Sequence, residues 1–126
     1  MATWQELSLD CLRAAQMLAG EGYWQSSISR SYYAAYCAVT GGLVVQGVRF
    51  GRGWHNPPHE HLLHLLTHNL TLPQDVRRRL RRRMRILRHA REDADYRPSI
   101  TVNRAMALDC MRDAIVVLQE VGVQDA

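Results

Sequence analysis

Arg77 to Pro98, RRRLRRRMRILRHAREDADYRP, holds the densest set of residues able to do chemistry. Nine of the fifteen residues from Arg77 to Arg91 are arginine and none is acidic. The run closes on Glu92-Asp93-Ala94-Asp95-Tyr96, which reads as an acidic turn, then Arg97-Pro98. Guanidinium groups make planar, bidentate contacts to phosphates and carboxylates. Like charges three and four apart on a helix repel by roughly 0.2–0.5 kcal/mol per pair. Something anionic is therefore expected opposite them: phosphates of RNA or a nucleotide, or carboxylates of another helix or subunit. Arg81, Arg85, Arg88 and His89 are the contacts expected on this face.

A second constellation is Ser29-Arg30-Ser31-Tyr32-Tyr33-Ala34-Ala35-Tyr36. Arg30 and Tyr33 are three apart, so they share a helix face. A buried arginine needs a partner, because an unpaired buried charge is very costly. Asp93 and Asp95 are the expected partners, and the pair either pins two elements together or belongs to a binding cleft. A third constellation is histidine: five of the six lie between His55 and His68. His61, His64 and His68 fall on one helix face, a spacing that can hold zinc. His59-Glu60 is followed by Leu63 where a metalloprotease helix needs its second histidine, and no cysteine lies nearby to close a site. Solvated or lightly buried imidazoles are expected instead, with no metal and no cofactor. Phe50 and Trp54 flank glycines in this region and are expected to cap the core, with base stacking as the other option.

The elements that must position these groups are all helical. Leu7, Cys11, Ala14 and Leu18 mark a first helix from Trp4 to about Leu18, ended by Ala19-Gly20-Glu21-Gly22. Ile28, Tyr32, Ala35, Val39 and Leu43 mark a second from about Trp24 to Gln46, which Gly41-Gly42 either kink or leave straight. A glycine- and proline-rich loop spans Gly47 to Pro58. A short third helix runs from Pro58 to about Asn69, with Leu62, Leu65 and Leu66 inward. Pro73 suits the first turn of the fourth helix, whose stripe is Val76, Leu80, Met84 and Leu87. The last helix begins near Thr101 as N-cap, with Val102, Met106, Cys110, Ala114, Val117 and Val121 inward and Ala105, Met111, Ile115 and Leu118 beside them. No stretch alternates long enough to be a strand. The expected fold is an all-α, antiparallel up-and-down bundle of four to five helices forming one domain over residues 1–126.

Bulk composition agrees with a folded protein: 47% hydrophobic and 22% charged residues in 126. The net charge of +4 is unevenly placed: the Arg77–Arg91 run carries nine arginines, and the rest has seven against twelve acids. Local basicity suits a binding face. Cys11, Cys37 and Cys110 are far apart and form no CxxC, so reduced core thiols and a cytoplasmic location are expected. The N-terminus has no signal-peptide pattern, and no apolar run is long enough to span a membrane.

RSYYAAY on the second helix, LRHAREDADY on the fourth, and a last helix opening at Ile-Thr resemble the HEPN family, over nearly the whole chain. The likeness is greatest to small stand-alone members with an Arg before Ala-Asp-Tyr. The resemblance implies a helical bundle that forms a homodimer, binds RNA or nucleotide, and pairs with a cognate nucleotidyltransferase in toxin–antitoxin systems. Many members are metal-independent ribonucleases in which an Arg, four to six residues, then a His face their twins across a shared cleft. The Arg steadies the scissile phosphate and the His assists proton transfer. Carried onto this chain, the Arg is Arg91 and the His position holds Tyr96, with Asp95 beside it. These three are the candidate catalytic residues, with Arg30 and Tyr33 in the same cleft. A phenol is essentially un-ionised at neutral pH and makes a poor base. Catalysis, binding without cutting, and bracing of a dimer or a docked partner all remain open from the motif.

Overall fold

The computed structural model describes residues 2–50 and 57–126. Their order is α1 (Trp4–Gly20), α2 (Trp24–Val45), α3 (His59–His68), α4 (Gln74–Tyr96) and α5 (Arg104–Glu120), and no strand occurs among the described residues. Trp54 and His55 lie outside them; Phe50 packs partly buried against the core.

α2 is the central helix and packs against all four others. Its stripe is the expected one: Ile28, Tyr32, Ala35, Val39 and Leu43 are buried, as are Ala34 and Ala38 on the adjoining face. Small side chains there let neighbours approach closely. Gly41 sits against Trp4, where an added Cβ would lie 2.7 Å from the Trp4 Cβ. The Gly41-Gly42 pair leaves α2 one uninterrupted helix.

Directions follow from the contacts. The start of α1 meets the end of α2 at Trp4 and Gly41. The start of α2 meets the end of α4 through Ser29 Oγ donating to Asp95 Oδ2 at 3.2 Å. The start of α4 meets the end of α5 through Arg79 and Glu120 at 3.8 Å. Sequential long helices therefore run antiparallel. Leu62, Leu63, Leu65 and Leu66 of α3 and Leu80, Met84 and Leu87 of α4 complete the main core. Full burial of each large apolar side chain contributes roughly 1.5–3 kcal/mol.

Three local expectations are corrected. The buried face of α1 is Ser8, Leu12, Ala15 and Ala19, one residue on from the Leu7, Cys11, Ala14, Leu18 stripe, and Leu7 is exposed. Close approach to α2 favours alanines at the contact, and the Ser8 hydroxyl is satisfied by donating to the Gln5 carbonyl. The cap of α5 is Asn103, whose side chain accepts from the Met106 amide at 3.0 Å, not Thr101, and Ala105 is exposed. The acidic segment Glu92–Tyr96 is the last turn of α4, not a turn leading away from it. Arg88–Glu92, His89–Asp93 and Arg91–Asp95 each pair at i,i+4 and carry the helix through these acids. No glycine or proline interrupts it before Pro98.

No helix of the described residues is long and apolar enough to cross a membrane.

Candidate functional site

The last two turns of α4 lie against the first half of α2, and Arg91 is the hinge of the contact. Its Nε is 3.2 Å from Asp95 Oδ2, and its Nη2 donates to the Tyr96 hydroxyl at 3.1 Å. Its guanidinium lies over three rings, 5.4 Å from the Tyr32 centroid, 5.2 Å from Tyr33 and 5.4 Å from Tyr96. Each cation–π contact of this kind contributes roughly 0.5–1 kcal/mol, more where water is excluded. The Arg91 side chain is 18% exposed. The residue is thus fixed on one side by a carboxylate and aromatic faces, and its position is set before any ligand arrives.

Arg30 does not form the expected buried ion pair. It is exposed and lies over the Tyr33 ring, 5.8 Å from the centroid. Asp93 pairs instead with Arg97 at 2.7 Å and His89 at 3.6 Å. Ser29, not Arg30, reaches Asp95. The reason is register: Arg30 sits on the exposed side of α2, next to the buried Ser31 and Tyr32.

Beside Arg91 a cleft of about 430 Å³ is lined by Tyr32, Tyr33, Tyr36, His59, Arg88 and Arg91. His59 enters from the first turn of α3, and its Nδ1 is 2.9 Å from the Tyr32 hydroxyl. Tyr36 donates its hydroxyl to the Pro57 carbonyl, which ties the start of α3 to α2. Burial, and then the positive charge of Arg88, hold the His59 imidazole down to about 4, so it is neutral at pH 7. Burial raises the Tyr32 phenol well above its ordinary range despite Arg88 and Arg91, so it stays protonated. When His59 carries its proton on Nδ1 and donates it to the Tyr32 oxygen, Nε2 is left as an acceptor.

Sequence reasoning read His59 only as half of a failed metal motif and Tyr32 only as core. Nothing in the chain signals a contact across 27 residues; a histidine just after Pro57-Pro58, at a helix start, is the one available hint. His61, His64 and His68 do share a face, with the His64 and His68 rings 4.6 Å apart. Among the described residues no group of three or more His, Cys, Asp or Glu is placed to hold a metal ion.

Arg81, Arg85, Arg88 and His89 are brought together in a neighbouring groove of about 520 Å³ between α3 and α4, with His59, His64 and His68 on its other wall. Arg88 and His59 line both cavities. Arg83, by contrast, turns the other way and pairs with Asp113 of α5.

An all-α bundle, of five helices among the described residues, with a basic cleft at one end of its central helix pair is the class of protein these observations define. The family model for the HEPN domain matches residues 1–124, and the chain belongs to that family. No curated protein matches it. Among solved structures it is similar to TT1696 from Thermus thermophilus, with a TM-score of 0.70 and 21% identity over 94% of this chain and 92% of that one. At that identity the likeness shows the shared bundle.

Proposed function

We propose that this HEPN domain binds RNA or a nucleotide, with a phosphate held by Arg88 and Arg91 and a base against Tyr33 and Tyr36. The observation that carries the reading is the pre-set Arg91, braced by Asp95 and three rings at the mouth of an aromatic cleft. Such a site loses little side-chain entropy on binding. Binding of labelled RNA and of AMP by the purified protein tests it. Arg91→Gln should weaken both at least tenfold while the variant keeps its helical circular dichroism; unchanged binding by the variant removes Arg91 from the site.

The neutral His59 favours a second reading, metal-independent endoribonuclease action. In the family pattern the imidazole follows the arginine on the chain, whereas here the position holds Tyr96, 66% exposed. His59 from α3 supplies an imidazole beside Arg88 and Arg91 instead. With Nε2 unprotonated it takes the proton of the ribose 2′-hydroxyl, the 2′-oxygen attacks phosphorus, and the bond to the 5′-oxygen breaks with that oxygen taking a proton from water, while Arg91 stabilises the charge on the non-bridging oxygens. Products would carry 2′,3′-cyclic phosphate, form in the presence of chelator, and vanish with His59→Ala. The reading extends to a homodimer that sets two clefts together and to a toxin–antitoxin role with a cognate nucleotidyltransferase docked on the arginine-rich face of α4. Light scattering on the purified protein, growth on induction alone, and co-elution with the neighbouring gene product test those three statements.

A further inference from the structure

We propose that Cys11 and Cys37 are an oxidisable thiol pair: Cys11 reduces a hydroperoxide, and Cys37 then closes a disulfide that joins α1 to α2. The pair is separate from the Arg91 cleft, although Arg30 borders both, touching Cys11 on one side and the Tyr33 ring on the other.

The register of α1 on α2 brings the thiols together. Two contacts fix it: Trp4 lies against Gly41, and the Ala15 carbonyl accepts from the Ser27 hydroxyl at 2.8 Å. Between these fixed points Cys11 falls level with the turn of α2 around Ala34, and it packs in the same apolar cluster as Ala34 and Ala38. Arg30, Ala34 and Cys37 follow one another at steps of four and three, so they share a face of α2. Cys11 is thus flanked by Arg30 and Cys37, and its sulfur accepts a hydrogen bond from each. A disulfide needs Cα atoms within about 7 Å of each other. Ala15, Ala34, Ala38 and Gly41 leave little bulk to hold the two backbones apart.

Exposure and charge divide the roles. Cys11 is half-buried, whereas Cys37 and Cys110 are buried. The hydrogen bond from Cys37, with the bond and charge of Arg30, holds the Cys11 thiol down to about 6 against burial and Asp10. Cys11 is therefore a thiolate at pH 7, open to solvent and beside a cation, which is where reactive cysteines sit. The same bond, and then burial, push the Cys37 thiol up, so it keeps its proton. Burial, and then Asp113 and Asp109, push Cys110 up to about 12, so it too stays a thiol.

The chemistry has two steps. The Cys11 thiolate attacks an oxygen of the hydroperoxide; an S–O bond forms, the O–O bond breaks, and the departing alkoxide takes a proton from water. Cys11 is then a sulfenic acid. The Cys37 sulfur attacks the Cys11 sulfur, the S–S bond forms, and the sulfenic hydroxyl leaves as water with the Cys37 proton. Two electrons pass from the thiols to the peroxide, which ends as an alcohol and water. The Cys37 thiol already points at the sulfur it attacks.

The test treats the reduced full chain with hydrogen peroxide at pH 7, alkylates the remaining thiols and maps peptides without reductant. A linked Cys11–Cys37 peptide is expected, with Cys110 alkylated. In Cys37→Ala, Cys11 should stop at the sulfenic acid, be trapped by dimedone, and form no disulfide. Without peroxide, the pH profile of Cys11 alkylation by iodoacetamide should have its midpoint near 6, and Arg30→Gln should raise it. Peroxide that leaves Cys11 and Cys37 as open to alkylation as Cys110 overturns the proposal. So does a disulfide joining two copies of the chain, or a Cys11 midpoint near the ordinary thiol value of 9.0. The wild-type peptide map and pH profile decide between these outcomes even where a variant fails to fold.

Discussion

Replacing His59 by glutamine should remove a pH-dependent part of the stability. The imidazole has an ordinary value of 6.5 and is held at about 4 in the fold, first by burial and then by Arg88, with Arg85 and Arg91 adding to it and Glu92 opposing. Between those two values the unfolded chain binds the proton and the folded one does not. Stability from this group is therefore complete above about pH 6.5, falls as the pH drops toward 4, and is flat below. A difference of 2.5 between the two values corresponds to about 3.4 kcal/mol at 1.36 kcal/mol per unit. The ring is only partly buried, and solvent screening reduces this to about 2 kcal/mol.

Urea unfolding of the wild type and His59→Gln at pH 7.5 and at pH 4.5 reads the effect directly. Every other group is common to the two proteins, so the double difference isolates His59. The wild type should lose about 2 kcal/mol more than the variant over that interval. A double difference near zero, or an NMR titration of the His59 ring with its midpoint near the ordinary histidine value, would refute the reasoning. An anion bound at Arg88 and Arg91 should raise the His59 value by offsetting their charge, so binding at pH 5 should take up protons.

Two further substitutions test the packing. Gly41→Ala pushes a methyl to 2.7 Å from the Trp4 Cβ, so α1 must shift and unfolding should ease by about 1–3 kcal/mol in urea melts. Asn103→Ala removes the side chain that accepts from the Met106 amide and should cost about 1 kcal/mol, seen as a lower Tm; Thr101→Ala should cost far less.

Periodicity made the long elements legible. Leu80, Met84 and Leu87 on α4 and the α2 stripe repeat at helical spacing and are buried as expected. The same rule placed the α1 stripe one residue off, because hydrophobic size is a poor guide where two helices approach closely. There the contact prefers Ala15 and Ala19 over Leu7 and Leu18. The end of α4 was misread because an acidic cluster resembles a turn until each acid is matched to a base four residues back. The contacts of Arg91 with Asp95 and Tyr96 are legible because they are local to one helix. The cleft itself was invisible because it depends on α3 docking against α2, as at His59 and Tyr32, and no spacing rule reports a contact between separate helices.

Nine arginines on one helix need an explanation that covers folding and binding together. Repulsion among neighbours at i,i+3 and i,i+4 is real but small per pair, and the fold relieves part of it. Asp75, Asp113 and Glu120 engage Arg79 and Arg83 on the α5 side, while Glu92 and Asp95 engage Arg88 and Arg91 near the end of the helix. Exposed pairs of this kind contribute about 0–1 kcal/mol, so their effect is chiefly to fix where guanidinium groups point. Of the arginines they leave without a carboxylate among the described residues, Arg78, Arg81 and Arg85 open on the grooves beside α3, and Arg82 lies on the side of Arg79 and Arg83. Repulsion left standing on one face destabilises the free protein slightly, and any polyanion laid along that face releases it.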